Sequence, residues 1–352
     1  MAGRRPELTV HGGGIFGLSV AWTCLRAGAA VRVVDRARIG AGSSGGLVGA
    51  LAPHVPENWN PKKAFQLDSL LMAERFWAGV AAAGGVDPGY ARTGRWQPLA
   101  DAAARDLAQA RAAGAGALWR GQAVWRVIPA PPGDWTPRSA TGLLVEDTLS
   151  ARLSPRAAGA ALAAAIRAGG GQVEEGIEAK DGPGLHLWAT GAAGLADLAR
   201  DLGRTVGTGI KGQAALMRPV LPVADLPQLF VEGLHIVPHA DGTVAIGSTT
   251  EREFAAPDTT DDQLDALIAA ARAACPALAD APVIDRWAGL RPRARSRAPM
   301  LGPWPGRPGH FIANGGFKIG FGMAPKVAEV MAALMLEGRD AIPAGFRVED
   351  SL

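Results

Sequence analysis

The stretch "LTVHGGGIFGLSVAW" sets Gly12, Gly14 and Gly17 in G-x-G-x-x-G spacing between an extended run, Leu8 to His11, and a helical run, Ile15 to Arg26. A second extended run, Ala30 to Asp35, completes a βαβ unit and ends on an acid 18 residues beyond Gly17. The three glycines differ in what their missing side chains allow. Gly12 permits the tight turn, Gly14 lets backbone approach a pyrophosphate, and Gly17 lets the helix pack close. The free amides and dipole of a helix start favour phosphate, and Asp35 can accept from a ribose hydroxyl. The unit predicts a dinucleotide site, with Ile15 and Phe16 at the helix start and Arg36 beside the acid in the same set. A merely structural glycine turn is the competing reading. The spacing does not separate NAD from FAD, since both carry adenosine and a pyrophosphate.

A chain of 352 residues exceeds what one core usually holds, so two domains are expected. After Val206 the runs "GTGIKGQAALMRP", "LFVEG" and "LHIVPHADGTVAIGST" read as antiparallel strands, with Asp241 and Gly242 as a hairpin turn. The alanine-rich helix Pro155 to Ala168 and the strands "GQVEE" and "LHLWAT" return to the first domain. The expected division is a discontinuous cofactor domain, residues 1–85, 142–205 and 300–352, and a mostly antiparallel substrate domain with helices, 86–141 and 206–299.

The glycine-rich loop "RIGAGSSGGLVGALAP", the later "LHLWATGAAG" and the segment "WAGLRP…APMLGP…FIANGGFKIGFGMAPK" follow in an order that resembles the FAD-dependent oxidoreductases of the D-amino-acid oxidase superfamily, particularly glycine and sarcosine oxidases. The resemblance runs almost the whole length and is weakest from about Tyr90 to Arg138. It implies an α/β fold of a Rossmann-like FAD-binding domain plus an antiparallel β domain. It also implies non-covalent FAD, since neither cysteine lies in a segment resembling a covalent flavin attachment. Ser43 and Ser44 can donate to phosphate or ribityl oxygens. By resemblance Val173 holds the adenine through backbone groups, Ala189, Thr190 and Gly191 pass the pyrophosphate, and Phe317, Ile319 and Gly320 form the loop at the pyrimidine side of the ring. Arg291 in "GLRP" falls where the family holds the substrate carboxylate, a role suited to a planar guanidinium. Lys318 falls beside the flavin, where a cation would stabilise negative charge on the reduced ring. The only tyrosine is Tyr90, so the active-site tyrosines of D-amino-acid oxidases have no counterpart, which favours the glycine or N-substituted glycine branch.

Arg291, Arg293, Arg295 and Arg297 stand at every second position, and in an extended chain they would share one face. Four such charges require anions or water. The spacing "GLRPRARSRAPMLGP" also resembles the oxidase domain of bacterial enzymes that remove a carboxymethyl group from carboxymethylaminomethyl-uridine in tRNA. That substrate is itself an N-alkylated glycine, and a tRNA enzyme needs a basic track that Arg293, Arg295, Arg297, Lys62 and Lys63 could supply. The expected function is an FAD oxidase acting on a small amino acid or N-substituted glycine with O2 as acceptor. The alternatives are the tRNA-modifying oxidoreductase, without the methyltransferase domain often fused to it, and a flavin dehydrogenase with another acceptor.

Lys+Arg of 36 against Asp+Glu of 33 leaves a net charge of only +3, so any nucleic-acid surface must be local. Cys24 and Cys275 lack the spacing of a disulfide framework or zinc site, consistent with a reducing cytoplasm. No apolar run is long enough for a membrane span, "MAGRRPE" is not read as a signal peptide, and no metal is expected. His54, His235 and His239 lie nearest plausible pocket segments and are read as structural.

Overall fold

A computed structural model describes residues 7–178 and 182–352; the arginine pair at positions 4 and 5 lies outside the described residues. The N-terminal unit is β1 (Glu7–His11), α1 (Ile15–Arg26) and β2 (Ala30–Asp35). β1 is central, beside β2, in a six-stranded sheet whose order is Met300–Pro303, His310–Asn314, Leu185–Trp188, β1, β2, Gln172–Glu175. Five of these strands run parallel, and Met300–Pro303 adds an antiparallel edge. The chain leaves β1 on one side to form β2 and returns on the other as Leu185–Trp188. That reversal is the topological switch point at which open α/β sheets bind ligands.

α1 packs with the helices Pro155–Ala168 and Gly320–Glu337, which also contact the six-stranded sheet, and the helix Pro61–Gly84 packs on both of those helices. Their limits follow local chemistry. Asn60 accepts from the Lys63 amide at 3.1 Å, Pro61 takes a first-turn position where its missing N–H is no loss, and Gly85 closes the helix at φ 67°. The helix Gly320–Glu337 carries Pro325 within its second turn.

The second sheet has eight strands, in the order Val283–Ala294, Gly207–Met217, Val244–Gly247, Leu234–Pro238, Gln228–Val231, Arg95–Pro98, Leu143–Asp147, Trp125–Pro129. Its pairs are antiparallel except Gln228–Val231 with Arg95–Pro98. The helix Asp262–Ala274 packs on it through Leu264, Ile268 and Ala271. Leu143–Asp147, inside the segment assigned from sequence to the cofactor side, is hydrogen-bonded into this sheet between two antiparallel partners.

The arginine ladder is not continuous. Gly207 faces Ala294 as the last rung, the Arg297 amide bonds back to the Ala294 carbonyl at 3.0 Å, and Arg297 turns to φ 62°. With no partner strand beyond Gly207 the chain turns. Arg291 and Arg293 keep the strand's alternation, and Arg295 and Arg297 stand outside it, exposed.

His239, at the turn between Leu234–Pro238 and Val244–Gly247, is buried, and burial holds its pKa down to about 4. The unfolded chain therefore takes up this proton first as pH falls. The stability tied to the neutral ring is complete above pH 6.5 and is lost toward pH 4. Urea unfolding should show about 2 kcal/mol less stability at pH 5 than at pH 8 from this group, and His239→Gln should flatten that slope. An unchanged slope would place the acid sensitivity elsewhere.

Candidate active site

A cavity of about 910 Å³ lies between the two sheets. His11, Asp35, Trp188 and Asn314, the last residues of four adjacent strands, all line it, so the cavity sits at the carboxyl edge of the six-stranded sheet. This is where a dinucleotide is expected in such a sheet.

The geometry of the glycine turn fits that ligand. Gly12 has φ 108°, and a Cβ there would stand 2.5 Å from the Ala189 carbonyl oxygen. A Cβ at Gly17 would stand 2.1 Å from the Gly12 oxygen, so helix and strand meet through bare backbone. Gly14 takes the cap position of α1 without a capping side chain, and the Ile15 amide donates to Ser44 Oγ at 3.0 Å. The α1 start therefore opens on the cavity beside a hydroxyl, a site made for phosphate oxygens. Asp35 accepts from the amides of Gly13 at 2.7 Å and Ala37 at 2.8 Å, which holds the acid against the glycine turn.

Of the residues expected from sequence, Gly12, Gly14, Ile15, Phe16, Asp35, Arg36, Ser43, Ser44, Ala189, Thr190, Gly191, Phe317, Ile319 and Gly320 line this one cavity, with Arg291 and Lys318. Gly17 stands behind the turn as packing. Val173 is not in the lining: it pairs with Val33 inside the sheet, and its carbonyl accepts from Arg167 at 3.3 Å. Ile177 and Glu178, past the carboxyl end of that strand, line the cavity instead, and the Ile177 amide donates to the Asp35 carbonyl at 3.0 Å.

The opposite wall is a face of the eight-stranded sheet. The cross-strand register aligns His235, Gly247, Ala214 and Trp287 in one row, and all four line the cavity. Two rings thus flank a floor of two small residues, onto which Val48 packs over Gly247. Gly212 and Gly289 face each other in the next row and leave a gap that two large side chains fill. A Cβ at Gly289 would stand 2.5 Å from the Trp287 ring, and one at Gly212 would stand 2.3 Å from Arg291 Nη2.

Arg291 is 7% exposed. Its Nη1 donates to Ser248 Oγ at 2.5 Å, and Nη2 donates to the carbonyls of Lys211 at 3.1 Å and Thr249 at 2.6 Å; Nε has no partner. Burial pushes its pKa down to about 10, so it stays charged at neutral pH. Lys211, on the opposite sheet face, has Glu251 and Asp261 at 3.3 Å each. A buried guanidinium in a cavity wall, hydrogen-bonded only to neutral oxygens, favours an anion beside it.

Phe317, at φ 43°, stands beside it; its amide donates to the Pro292 carbonyl at 2.9 Å. Sequence reasoning missed Ser248, Phe230, Trp287 and the gap at Gly212, which arise from cross-strand register. It also set His235 aside. His235 packs against the Phe230 ring at 4.7 Å, its Nδ1 has no partner, and burial holds its pKa down to about 3. Tyr90 is outside the lining, and burial raises both cysteine pKa values, to about 12 for Cys24 and about 11 for Cys275.

The family model described as DAO, FAD dependent oxidoreductase, matches residues 7–334. The glycine oxidase of Pseudomonas aeruginosa is 34% identical over 134 residues, 38% of this chain, and the chain spans only 36% of that relative's length. The glycine oxidase of Geobacillus kaustophilus is 24% identical across 94% of this chain and 93% of its own. Its crystal structure superposes with a TM-score of 0.80 over 98% of each chain. The iminodiacetate oxidase of Chelativorans sp. BNC1 superposes with a TM-score of 0.82 at 20% identity, over 97% of this chain and 98% of its own, which is a likeness of fold.

Gly212→Ala should displace the Arg291 guanidinium from its carbonyl cradle and leave the glycine turn untouched. Titration of flavin absorbance with a carboxylate ligand should show affinity lowered about tenfold or more, with FAD retained. Unchanged affinity would mean the guanidinium does not need that gap.

Proposed function

This chain belongs to the FAD dependent oxidoreductase (DAO) family, and from that premise we propose that it oxidises the C–N bond of glycine or a small N-substituted glycine. The observation that carries the reading is Arg291, a buried cation in the cavity wall that no carboxylate among the described residues pairs directly. In this reading Gly12, Gly14, Ser43, Ser44, Asp35 and the 189–191 turn hold FAD, with Ile177 and Glu178 at the adenosine end. Bound FAD supplies a two-electron acceptor.

The protein's own groups do the rest. Arg291 fixes the substrate carboxylate from the cavity wall through its guanidinium, which sets the adjacent CH2. His235, whose pKa burial holds down to about 3, stays neutral beside the site and takes up no proton. The amine reacts in its neutral form, its proton released to water before the C–H bond breaks. Its C–H bond breaks with loss of two electrons, and water adds to the imine to give glyoxylate and the free amine. Dioxygen takes up the two electrons as H2O2, so amine, O2 and water balance glyoxylate, amine and peroxide.

One observation favours the tRNA reading: Lys62 Nζ donates to the Arg297 carbonyl, and burial with Arg297 and Arg293 nearby lowers its pKa. Binding of tRNA that weakens steeply with salt would support it, and absence of binding at low salt would remove it.

The purified protein should be yellow and should bleach anaerobically with glycine, sarcosine or a related N-alkylglycine; a fully flavinated preparation that stays oxidised with all of them sinks the proposal. Arg291→Ala should raise the apparent substrate constant about a hundredfold and keep FAD. Because His235 has a pKa of about 3, kcat/KM should show no inflection from it between about pH 5 and 8. An inflection in that window that His235→Gln abolishes would refute its neutral role.

A further inference from the structure

The Phe317 ring has three cations around it. The Arg291 guanidinium carbon lies 5.4 Å from the ring centroid, that of Arg293 5.6 Å and Lys318 Nζ 5.9 Å. Arg291 and Arg293 reach the ring from alternate positions of one strand, and Lys318 follows Phe317 in the chain. Among the described residues no carboxylate forms an ion pair with any of the three.

The carboxylates nearby are committed elsewhere. Glu251 and Asp261 serve Lys211, Asp197 serves Arg200, and Asp35 holds the glycine turn. Asp258 lines the cavity from an exposed loop without pairing. Two of the three cations, Arg291 and Lys318, face the cavity, and Arg293 is not in its lining. Lys318 has no hydrogen-bond partner among the described residues, and its pKa is lowered, first by burial and then by Arg291. Like charges held this close repel one another, and anions between them relieve that repulsion.

One substrate carboxylate satisfies Arg291 alone. We propose that the substrate is a dianion, an N-substituted glycine whose substituent carries a second carboxylate, and that Lys318 binds this second group while Arg291 binds the first. Arg293 lends its charge from beside Phe317. The sharing of the Nη2 edge with two backbone carbonyls limits what Arg291 gains from a single carboxylate, so the second contact is where selectivity arises. This inference rests on the amine-oxidase reading of the same cavity, and it departs from the expectation that Lys318 serves the flavin.

The test uses a pair of ligands that cannot be oxidised because oxygen replaces the amine nitrogen. Calorimetry on the FAD-loaded protein compares oxydiacetate, the dicarboxylate, with methoxyacetate, its monocarboxylate counterpart. Oxydiacetate should bind about tenfold or more tightly, and Lys318→Gln should bring the two affinities together. Lys318 is exposed to the cavity, so this substitution leaves the core intact. Equal affinities in the unmodified protein overturn the proposal. So does a preference that survives Lys318→Gln, or a variant that changes only the flavin spectrum. Anaerobic reduction by iminodiacetate and sarcosine is read separately. If neither bleaches the flavin, the amine-oxidase reading fails whatever the calorimetry shows; if both bleach it equally and bind equally, only the second carboxylate is lost.

Discussion

A backbone carbonyl stands where a side chain at position 12 would have to be. The contact of Gly12 with the Ala189 oxygen lets β1 and Leu185–Trp188 end together at the cavity. Gly17, seated on the Gly12 oxygen, then fixes the direction in which α1 leaves the turn. Any Cβ at either point would push helix from sheet, and the amides of the helix start would no longer face the space between the sheets. The phosphate end, the acid at Asp35 and the loop through Ser44 are all positioned by that approach.

The second constraint is electrostatic, and two neighbours across one strand pair show it. Lys211 and Arg291 are both buried, on opposite faces of the same ladder. Lys211 is neutralised by Glu251 and Asp261, whereas Arg291 is given only a hydroxyl and two carbonyls. Removing a charge from water without a counter-charge is costly, and such a group persists where a ligand supplies the missing charge. The fold thus satisfies the cation that belongs to its architecture and leaves unsatisfied the one that faces the cavity.

What can be read from the sequence is local. The limits of α1 and β2 and the role of each glycine follow from a few consecutive residues, and the structure has α1 and β2 where the pattern puts them. The arginine ladder stops short of its sequence pattern because a strand's end is set by its partner, and the partner begins at Gly207. Resemblance points to Val173, whereas Ile177 and Glu178 stand beyond that strand's carboxyl end, where ligands gather. Gly176 is the available signal, a break that closes the strand. The gap at Gly212 has no signal at all, since its meaning depends on Gly289 lying opposite.

The order of strands in the six-stranded sheet also bears on how the protein is made. Its centre pairs β1 with Leu185–Trp188, and that strand pairs on its other side with His310–Asn314. The cavity wall is closed by Gly315 to Phe321, which follows immediately. A nascent chain can form the first βαβ unit early, but it cannot enclose a dinucleotide until residues near the far end have left the ribosome and joined a sheet begun at residue 7. Cofactor capture is in this sense a late event of synthesis, and the α1 start waits exposed until then.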